Sequence, residues 1–289
     1  MRELHFKDNF WNSDITSTGG YDSIVQHLND GKRTCKEVED FIKARAAIEE
    51  RYAKDLLGLS KKVCGHNEMN TLKRSLDVFK LQTENVSLSH FQLAQTMREE
   101  AKKMEEFREK QKDARKKVEQ QMDALHKHKS TQYKKSMEQS AEEAGNSFFF
   151  LKFSFTPKRF LSSAKYLFHL NADRLYSNNV SILGKIRDDW QKEHVKACEL
   201  FEKLDIERIN TLRNIVWTHL NHLSQQCVTS DELYEEVRKS LEQCNIQEDI
   251  EHFINLRRTG DKPPAPIPYE NFYSNQRAPP PRQPPQLAR

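Results

Sequence analysis

The chain has 289 residues, of which 31% are charged and only 8 are glycine, and its formal net charge is +4. The mean hydropathy of −0.88 is typical of long helices washed by solvent and argues against a compact α/β enzyme. The length allows one large domain or two small ones. The small net charge does not by itself indicate any class of partner.

Cysteine usage and the N-terminal sequence predict a cytosolic protein. The chain has five cysteines, an odd number, and no C-x-x-C spacing, so neither a disulfide framework nor a zinc site is predicted. We expect these residues to be small apolar side chains in a reducing compartment. No N-terminal segment combines basic residues with an apolar run, so no secretory signal is expected.

Residues 4–18 form the first predicted element. Leu4, Phe6, Phe10 and Trp11 lie there among polar residues. This pattern predicts a short helix or an extended strap that packs its aromatic side chains on a larger element.

A long amphipathic helix is predicted over residues 20–63. Arg45 and Glu49 interrupt its apolar stripe one turn apart and are placed to pair with each other. Residues 64–67 (CGHN) end the pattern, as glycine after a lysine-rich last turn commonly does. The stripe that we expect to be buried consists of Val38, Ile42, Tyr52, Leu56 and Leu59.

Two more long helices and a shorter one follow. The second helix is predicted over residues 68–144, which corresponds to a length on the order of 110 Å. The third is predicted over residues 171–228, and Thr229-Ser230-Asp231 is interpreted as the cap of a final helix that reaches Leu256. Because no globular core covers helices of this length, we predict an all-α, elongated antiparallel bundle in which two chains pack side by side.

The C-terminal segment differs in composition, since nine of the ten prolines lie beyond residue 262. We predict an extended or polyproline II tail without a core of its own. Pro263-x-x-Pro266 is a weak SH3-ligand pattern, because no basic residue stands at the usual flanking position. Tyr269 and Tyr273 are candidate phosphorylation sites.

Several stretches carry a family resemblance. The run 21–62, which ends in LSKK, is similar to the start of an F-BAR domain. EEFREKQKDARKK (105–117), LRNIVWTHLNHLSQQC (212–227) and TGDKPPAPIPYENFY (259–273) resemble the proline-serine-threonine phosphatase-interacting proteins, and most of all the shorter, second form that lacks an SH3 domain. The resemblance implies a crescent-shaped antiparallel F-BAR dimer over residues 4–260, followed by a proline-rich tail over 261–289.

The same resemblance implies a function. F-BAR proteins of this kind are adaptors that bind anionic, phosphoinositide-containing membrane at the inner face of the plasma membrane. The resemblance further implies links to the actin cytoskeleton and to a PEST-type protein tyrosine phosphatase, which docks through the tryptophan that Trp217 matches. Core packing of Trp217 with Ile209, Leu212 and Leu220 is the alternative.

Lys and Arg side chains are the predicted membrane-binding groups, because each one near an anionic leaflet adds roughly 1 kcal/mol. Residues 98–135 hold 13 Lys or Arg against 8 Asp or Glu. The alternative is an ordinary solvated face, which we expect for Lys102 and Lys103. The predicted set is Lys61 and Lys62, which fall on the family's LSKK motif; a second patch of Arg108, Lys110, Lys112, Arg115, Lys116 and Lys117; and a third of Lys127, Lys129, Lys134 and Lys135.

Other functions find no support in the sequence. No phosphate-binding glycine loop, nucleophile elbow or metal-ligand cluster is present, so neither an enzyme nor a cofactor is predicted. No aromatic residues alternate with the lysines, which argues against nucleic-acid binding. A protein-binding coiled-coil scaffold without membrane activity remains the alternative function.

Residues 141–170 depart from the family. GNSFFFLKFSFTPKRFLSSAKYLFHL (145–170) holds seven of the sixteen phenylalanines where the family has charged helix. Four basic residues interrupt the segment, so it is not a transmembrane helix. We interpret it as a splice variant or a faulty gene model. The alternative is that this segment, at the end of the crescent-shaped dimer, inserts into the membrane. We expect the arm beyond about Met137 to be shortened or disordered.

Overall fold

The computed structural model describes residues 4–152, 161–271 and 273, with side chains outside 141–169. These residues form helices and no strand. The helices are α1 (Phe6–Asn9), α2 (Gly19–Ser60), α3 (Asn70–Lys152), α4 (Leu161–Glu242) and α5 (Ile246–Arg257). The prediction of an all-α, elongated antiparallel bundle is confirmed.

The three long helices run antiparallel along one another. Ser87 on α3 donates to the carbonyl of Ala53 near the end of α2, whereas Arg115, further along α3, reaches Asn29 near the start of α2. On the other side of α3, Ser75 donates to the carbonyl of Ser240 near the end of α4. α3 is therefore the central helix, with α2 and α4 packed along it.

Two apolar clusters hold the bundle together. The first joins Tyr21 and Ile24 on α2 with Met122 on α3 and with Trp190 and Phe201 on α4, all of which are buried. Burial of large apolar side chains stabilises a fold by roughly 1.5–3 kcal/mol each. The second cluster joins Ile42 and Ala46 on α2 with Leu93, Met97 and Ala101 on α3, and its two alanines allow close helix packing.

The N-terminal segment lies against α4, as predicted. Glu202 accepts hydrogen bonds from the backbone N–H of Phe6 (2.7 Å) and binds the His5 ring (2.8 Å). The ring of Trp11 packs edge-on to that of Trp190, with 5.9 Å between centroids. A side chain at Gly20 would place its Cβ only 2.3 Å from the carbonyl oxygen of Phe10, so this close approach requires glycine.

Several helix ends differ from the prediction. α3 continues to residue 152 and α4 begins at residue 161, where ends near 144 and 171 were expected. Thr229-Ser230-Asp231 is not a cap, because α4 runs through it to Glu242. The break comes instead at Asn245, whose side chain accepts from the N–H of Glu248 and caps α5. Tertiary packing along α3 overrides the local cap signal.

The predicted shortening of the arm is not seen in the backbone, which is helical to residue 152 and again from residue 161. The phenylalanine-rich segment lies largely outside the described part of the chain. The structure describes no side chains over 141–169 and leaves out residues 153–160 altogether. Its interpretation therefore stays a prediction. Across the described ranges, no helix is both long and apolar enough to span a bilayer.

The cysteines are free thiols in three kinds of environment. Cys35 and Cys198 are buried, as expected for small apolar core residues, and burial raises the pKa of Cys198 to about 11. Cys227 is exposed, and Cys64 and Cys244 are half-buried.

Candidate functional site

Lys61 and Lys62 project at the tip where α2 ends. Both side chains are exposed, and neither forms an ion pair with a described residue. The turn that follows is closed by the backbone N–H of Lys62, which donates to the carbonyl of Leu59 at 3.0 Å. Two adjacent ammonium groups are therefore held at a defined position with their charges unneutralised.

The exposed lysines of α3 form a second basic array. Six of them make no ion pair with a described residue: Lys110, Lys116, Lys117, Lys127, Lys134 and Lys135. A seventh, Lys112, is also exposed, but its ammonium binds Glu109 at 2.8 Å, which partly neutralises its charge. Together with the tip of α2, eight exposed lysines of the predicted set carry uncompensated charge.

Three members of the predicted membrane-binding set do not belong to the exposed face. Arg108 points inward to Glu39 at 3.0 Å, and only 13% of its side chain is exposed. Arg115 is buried, where its guanidinium donates to Glu119 (2.8 Å) and to Asn29 (3.0 Å). The buried carboxylate of Glu39 on α2 holds Arg108, and Glu119 together with the amide of Asn29 holds Arg115. Sequence spacing alone did not show these contacts.

Lys129 is the third residue of the predicted set that lies off the exposed face, because it is 1% exposed. Its Nζ lies 3.4 Å from the centre of the Trp190 ring, in a cation–π contact, and has no hydrogen-bond acceptor. Tyr21, His126 and His194 complete the aromatic surroundings. Burial lowers the pKa of Lys129 to about 8. Lys129 is therefore a core residue of the bundle and does not face a membrane.

Arg108 and Arg115 line one cleft between α2 and α3. The cleft has a volume of about 100 Å³. Lys32 from α2 and Lys112 from α3 also line it, so four basic side chains surround a single small space. We name this space the cationic cleft.

Trp217 lies on α4 with 68% of its surface exposed. Ile209 and Leu220 are also largely exposed, so these side chains do not form a core with Trp217 within the single chain. A large amphipathic side chain with an open face is suited to anchor a peptide. Tyr269 and Tyr273 in the tail are exposed as well, at 90% and 87%, which is compatible with access by a kinase.

Buried carboxylates contact side chains of neighbouring helices at positions that the sequence did not indicate. His222 and His219 on α4 lie 2.6 and 3.4 Å from the buried carboxylate of Glu100 on α3. The predicted pair of Arg45 and Glu49 is confirmed, and Glu49 also binds a histidine of α3. Each of these buried carboxylates therefore has two basic partners. Within the described ranges, no three His, Cys, Asp or Glu residues are arranged to hold a metal ion.

Comparisons with known proteins agree with this fold. Residues 20–92 match the family described as FCH: Fes/CIP4, and EFC/F-BAR homology domain. The chain is 42% identical over 293 residues to proline-serine-threonine phosphatase-interacting protein 1 of Homo sapiens, covering 96% of this chain and 70% of that protein. It is 26% identical over 287 residues to septation protein imp2 of Schizosaccharomyces pombe, covering 94% of this chain and 42% of that protein.

Two solved structures share the architecture. The Imp2 F-BAR domain superposes with a TM-score of 0.74 at 23% identity, covering 95% of each chain. The Hof1p F-BAR domain gives a TM-score of 0.73 at 16% identity, covering 91% of this chain and all 100% of the other. At such identities the two structures support the fold alone.

Proposed function

Because this chain belongs to the F-BAR domain family and is related to the proline-serine-threonine phosphatase-interacting proteins, we propose that it is a non-enzymatic adaptor that binds anionic, phosphoinositide-containing membrane. The observation that carries the proposal is the set of eight exposed, unneutralised lysines on α2 and α3. The narrower likeness to the form without an SH3 domain stays a prediction.

The physical basis is electrostatic attraction between a rigid basic array and an anionic leaflet. Each lysine near the surface contributes roughly 1 kcal/mol, and the attraction decays within a Debye length of about 8 Å at physiological salt. A single lysine is therefore ineffective, but an array repeated on two protomers gives useful affinity. The binding should fall steeply as salt is added.

The adaptor acts as a homodimer in this proposal. Support comes from large apolar side chains left open on the single chain, such as Phe41 (66% exposed), Ile48 (56%) and Phe253 (53%). Apolar patches of this kind usually mark protein interfaces. A second copy of the chain would cover them and would double the number of lysines presented to the membrane.

Charge reversal tests the membrane proposal. Lys61→Glu/Lys62→Glu should reduce co-sedimentation with phosphatidylserine vesicles at least tenfold at low salt, because four charges per dimer change sign. Lys102→Glu/Lys103→Glu is the matched control, since it makes the same change at exposed positions outside the predicted set. Equal losses in both variants, with dimer mass unchanged, would overturn the assignment of the tip lysines.

The phosphatase and actin links form the second part of the proposal. One relative is named for its interaction with a phosphatase, and the exposed Trp217 is the anchor that we assign to a PEST-type phosphatase tail. Trp217→Ala should abolish binding of that tail peptide while leaving vesicle binding unchanged. We further propose a cytoplasmic location at the inner face of the plasma membrane, in association with the actin cytoskeleton.

A protein-binding scaffold without membrane activity is the second candidate. It is favoured by ion pairs that neutralise part of the basic surface, such as Lys112 with Glu109 and Lys54 with Glu50 at 2.6 Å. This function predicts that an intact dimer binds the phosphatase peptide but does not sediment with anionic vesicles at any salt concentration.

A further inference from the structure

The cationic cleft differs from the exposed lysine array in its enclosure. It lies between α2 and α3 of one chain, over an apolar floor that includes Leu28 and Phe107. Its volume of about 100 Å³ holds about three water molecules. A single small polar group fits inside, whereas a larger molecule has to remain outside with only that group inserted.

The cleft contains N–H donors without acceptors. Lys32 is half-buried and forms no ion pair with a described residue. Arg108 uses its Nη2 toward Glu39, but its Nε is buried and has no hydrogen-bond partner. Buried donors without acceptors are costly, so an anion that accepts from them would be favoured.

The charge balance of the cleft also favours an anion. Its four basic side chains face three carboxylates, from Glu39, Glu109 and Glu119, so the sum of four and minus three leaves one positive charge. Only Glu119 lines the cleft itself, where it binds Arg115. The other two carboxylates hold their partners from outside the cleft and leave its interior rich in donors.

We propose that the cationic cleft binds one phosphate monoester per protomer. A tetrahedral phosphate has oxygens pointing in several directions, which suits donors that converge from two helices, and charge-assisted bonds of Arg and Lys to phosphate are strong. The phosphate comes either from a phosphoinositide headgroup or from a soluble inositol phosphate. For the lipid source, the inference depends on the proposed membrane function.

Lys32→Gln tests the cleft without breaking an ion pair. Lys103→Gln is the matched control, because it removes the same charge from an exposed position on α3 that neither lines the cleft nor belongs to the predicted membrane-binding set. Two probes are used on the full chain. Calorimetric titration with inositol 1,4,5-trisphosphate measures the soluble source. Sedimentation with phosphoinositide vesicles and with phosphatidylserine vesicles of equal total charge measures the lipid source.

We expect binding of one trisphosphate per protomer. Lys32→Gln should weaken it about tenfold, which is the loss expected for one charge-assisted hydrogen bond, and Lys103→Gln should weaken it less than twofold. Lys32→Arg should retain binding. A second outcome also supports the cleft: trisphosphate does not bind, and Lys32→Gln, unlike the control variant, abolishes the preference for phosphoinositide over phosphatidylserine vesicles. In that case the cleft takes the lipid phosphate.

Equal effects of the two glutamine variants in both arms would overturn the proposal, because the cleft would then contribute only general charge. That result would leave the membrane function intact as long as the wild-type protein still sediments with phosphatidylserine vesicles. A wild-type protein that binds no vesicles, but binds trisphosphate in a way that Lys32→Gln weakens, would overturn the membrane function and support phosphate binding in the cleft.

Discussion

Replacing Lys129 by methionine should make the protein more stable at neutral pH. Lys129 lies fully inside the bundle, with its ammonium over the Trp190 ring and no hydrogen-bond acceptor. Methionine fills a similar volume, carries no charge and packs well against aromatic rings. The substitution therefore removes a desolvated charge while keeping the packing.

The magnitude follows from two opposing contributions. Burial lowers the pKa of Lys129 from 10.5 to about 8, which at about 1.4 kcal/mol per pKa unit corresponds to roughly 3 kcal/mol of destabilisation when the side chain is charged. The cation–π contact with Trp190 returns up to about 2 kcal/mol at a desolvated site. Lys129→Met should thus raise the free energy of unfolding by roughly 1 kcal/mol near pH 7.

The gain should depend on pH. Since the pKa in the folded chain (about 8) is below that of an unfolded lysine (10.5), the unfolded chain binds the proton more tightly between these values. Wild-type stability relative to Lys129→Met therefore rises with pH across this window. Asp14 partly offsets the lowering of the Lys129 pKa. His126 and His194 titrate below the window, because burial lowers the pKa of each ring.

Urea unfolding followed by circular dichroism, at fixed protein concentration, measures the effect at about pH 7 and again near pH 10. Lys127→Met is the control, because Lys127 is exposed two residues earlier on α3 and should change stability by less than about 0.5 kcal/mol. A destabilised Lys129→Met at neutral pH, or a gain that does not shrink as the pH rises, would refute this reasoning.

Two further substitutions probe buried and capping carboxylates. Glu39→Ala should lower the free energy of unfolding by about 3 kcal/mol, because it leaves the inward-pointing Arg108 without its carboxylate; urea titration against the exposed variant Glu106→Ala measures the difference. Asp249→Asn should lower the thermal midpoint, since Asp249 accepts from the hydroxyl and N–H of Thr71 at the start of α3. These bonds lower the pKa of Asp249 below 3.8, so the stability that Asp249 contributes should be lost as the pH falls through that range. A wild-type thermal midpoint that fell no faster than that of Asp249→Asn on acidification would contradict this role of Asp249.

The apolar stripe of α2 shows what periodicity predicts and what it does not. Ile42 is buried and Val38 is half-buried, as the spacing predicted. Tyr52 and Leu59 belong to the same stripe, yet they are 45% and 52% exposed in the single chain. Spacing identifies the apolar side of a helix, but it does not say which neighbour covers each turn. In the proposed dimer, the second copy is the candidate cover for these turns.

Polar contacts within the bundle were harder to predict than the helices. His219 and His222 lie three residues apart on α4, but the carboxylate that both face, Glu100, is 119 residues away from the first of them. The same holds for the start of α3, which Asp249 caps from α5. The cap signal at Thr229-Ser230-Asp231 was wrong, because α4 continues through it to Glu242 and the residue that caps α5 is Asn245.

Lys127 and Lys129 show most clearly why a basic sequence does not define a basic face. Two residues apart on α3, they point to opposite sides of the helix, since successive residues turn by about 100°. Lys127 meets solvent, whereas Lys129 meets Trp190, which the sequence places 61 residues later on α4. Arg108 and Arg115 are likewise drawn inward by groups on α2 and α3. Whether a cation is available to an external anion is therefore decided by the partner helix, and the cationic cleft is the place where that partner leaves some donors unmatched.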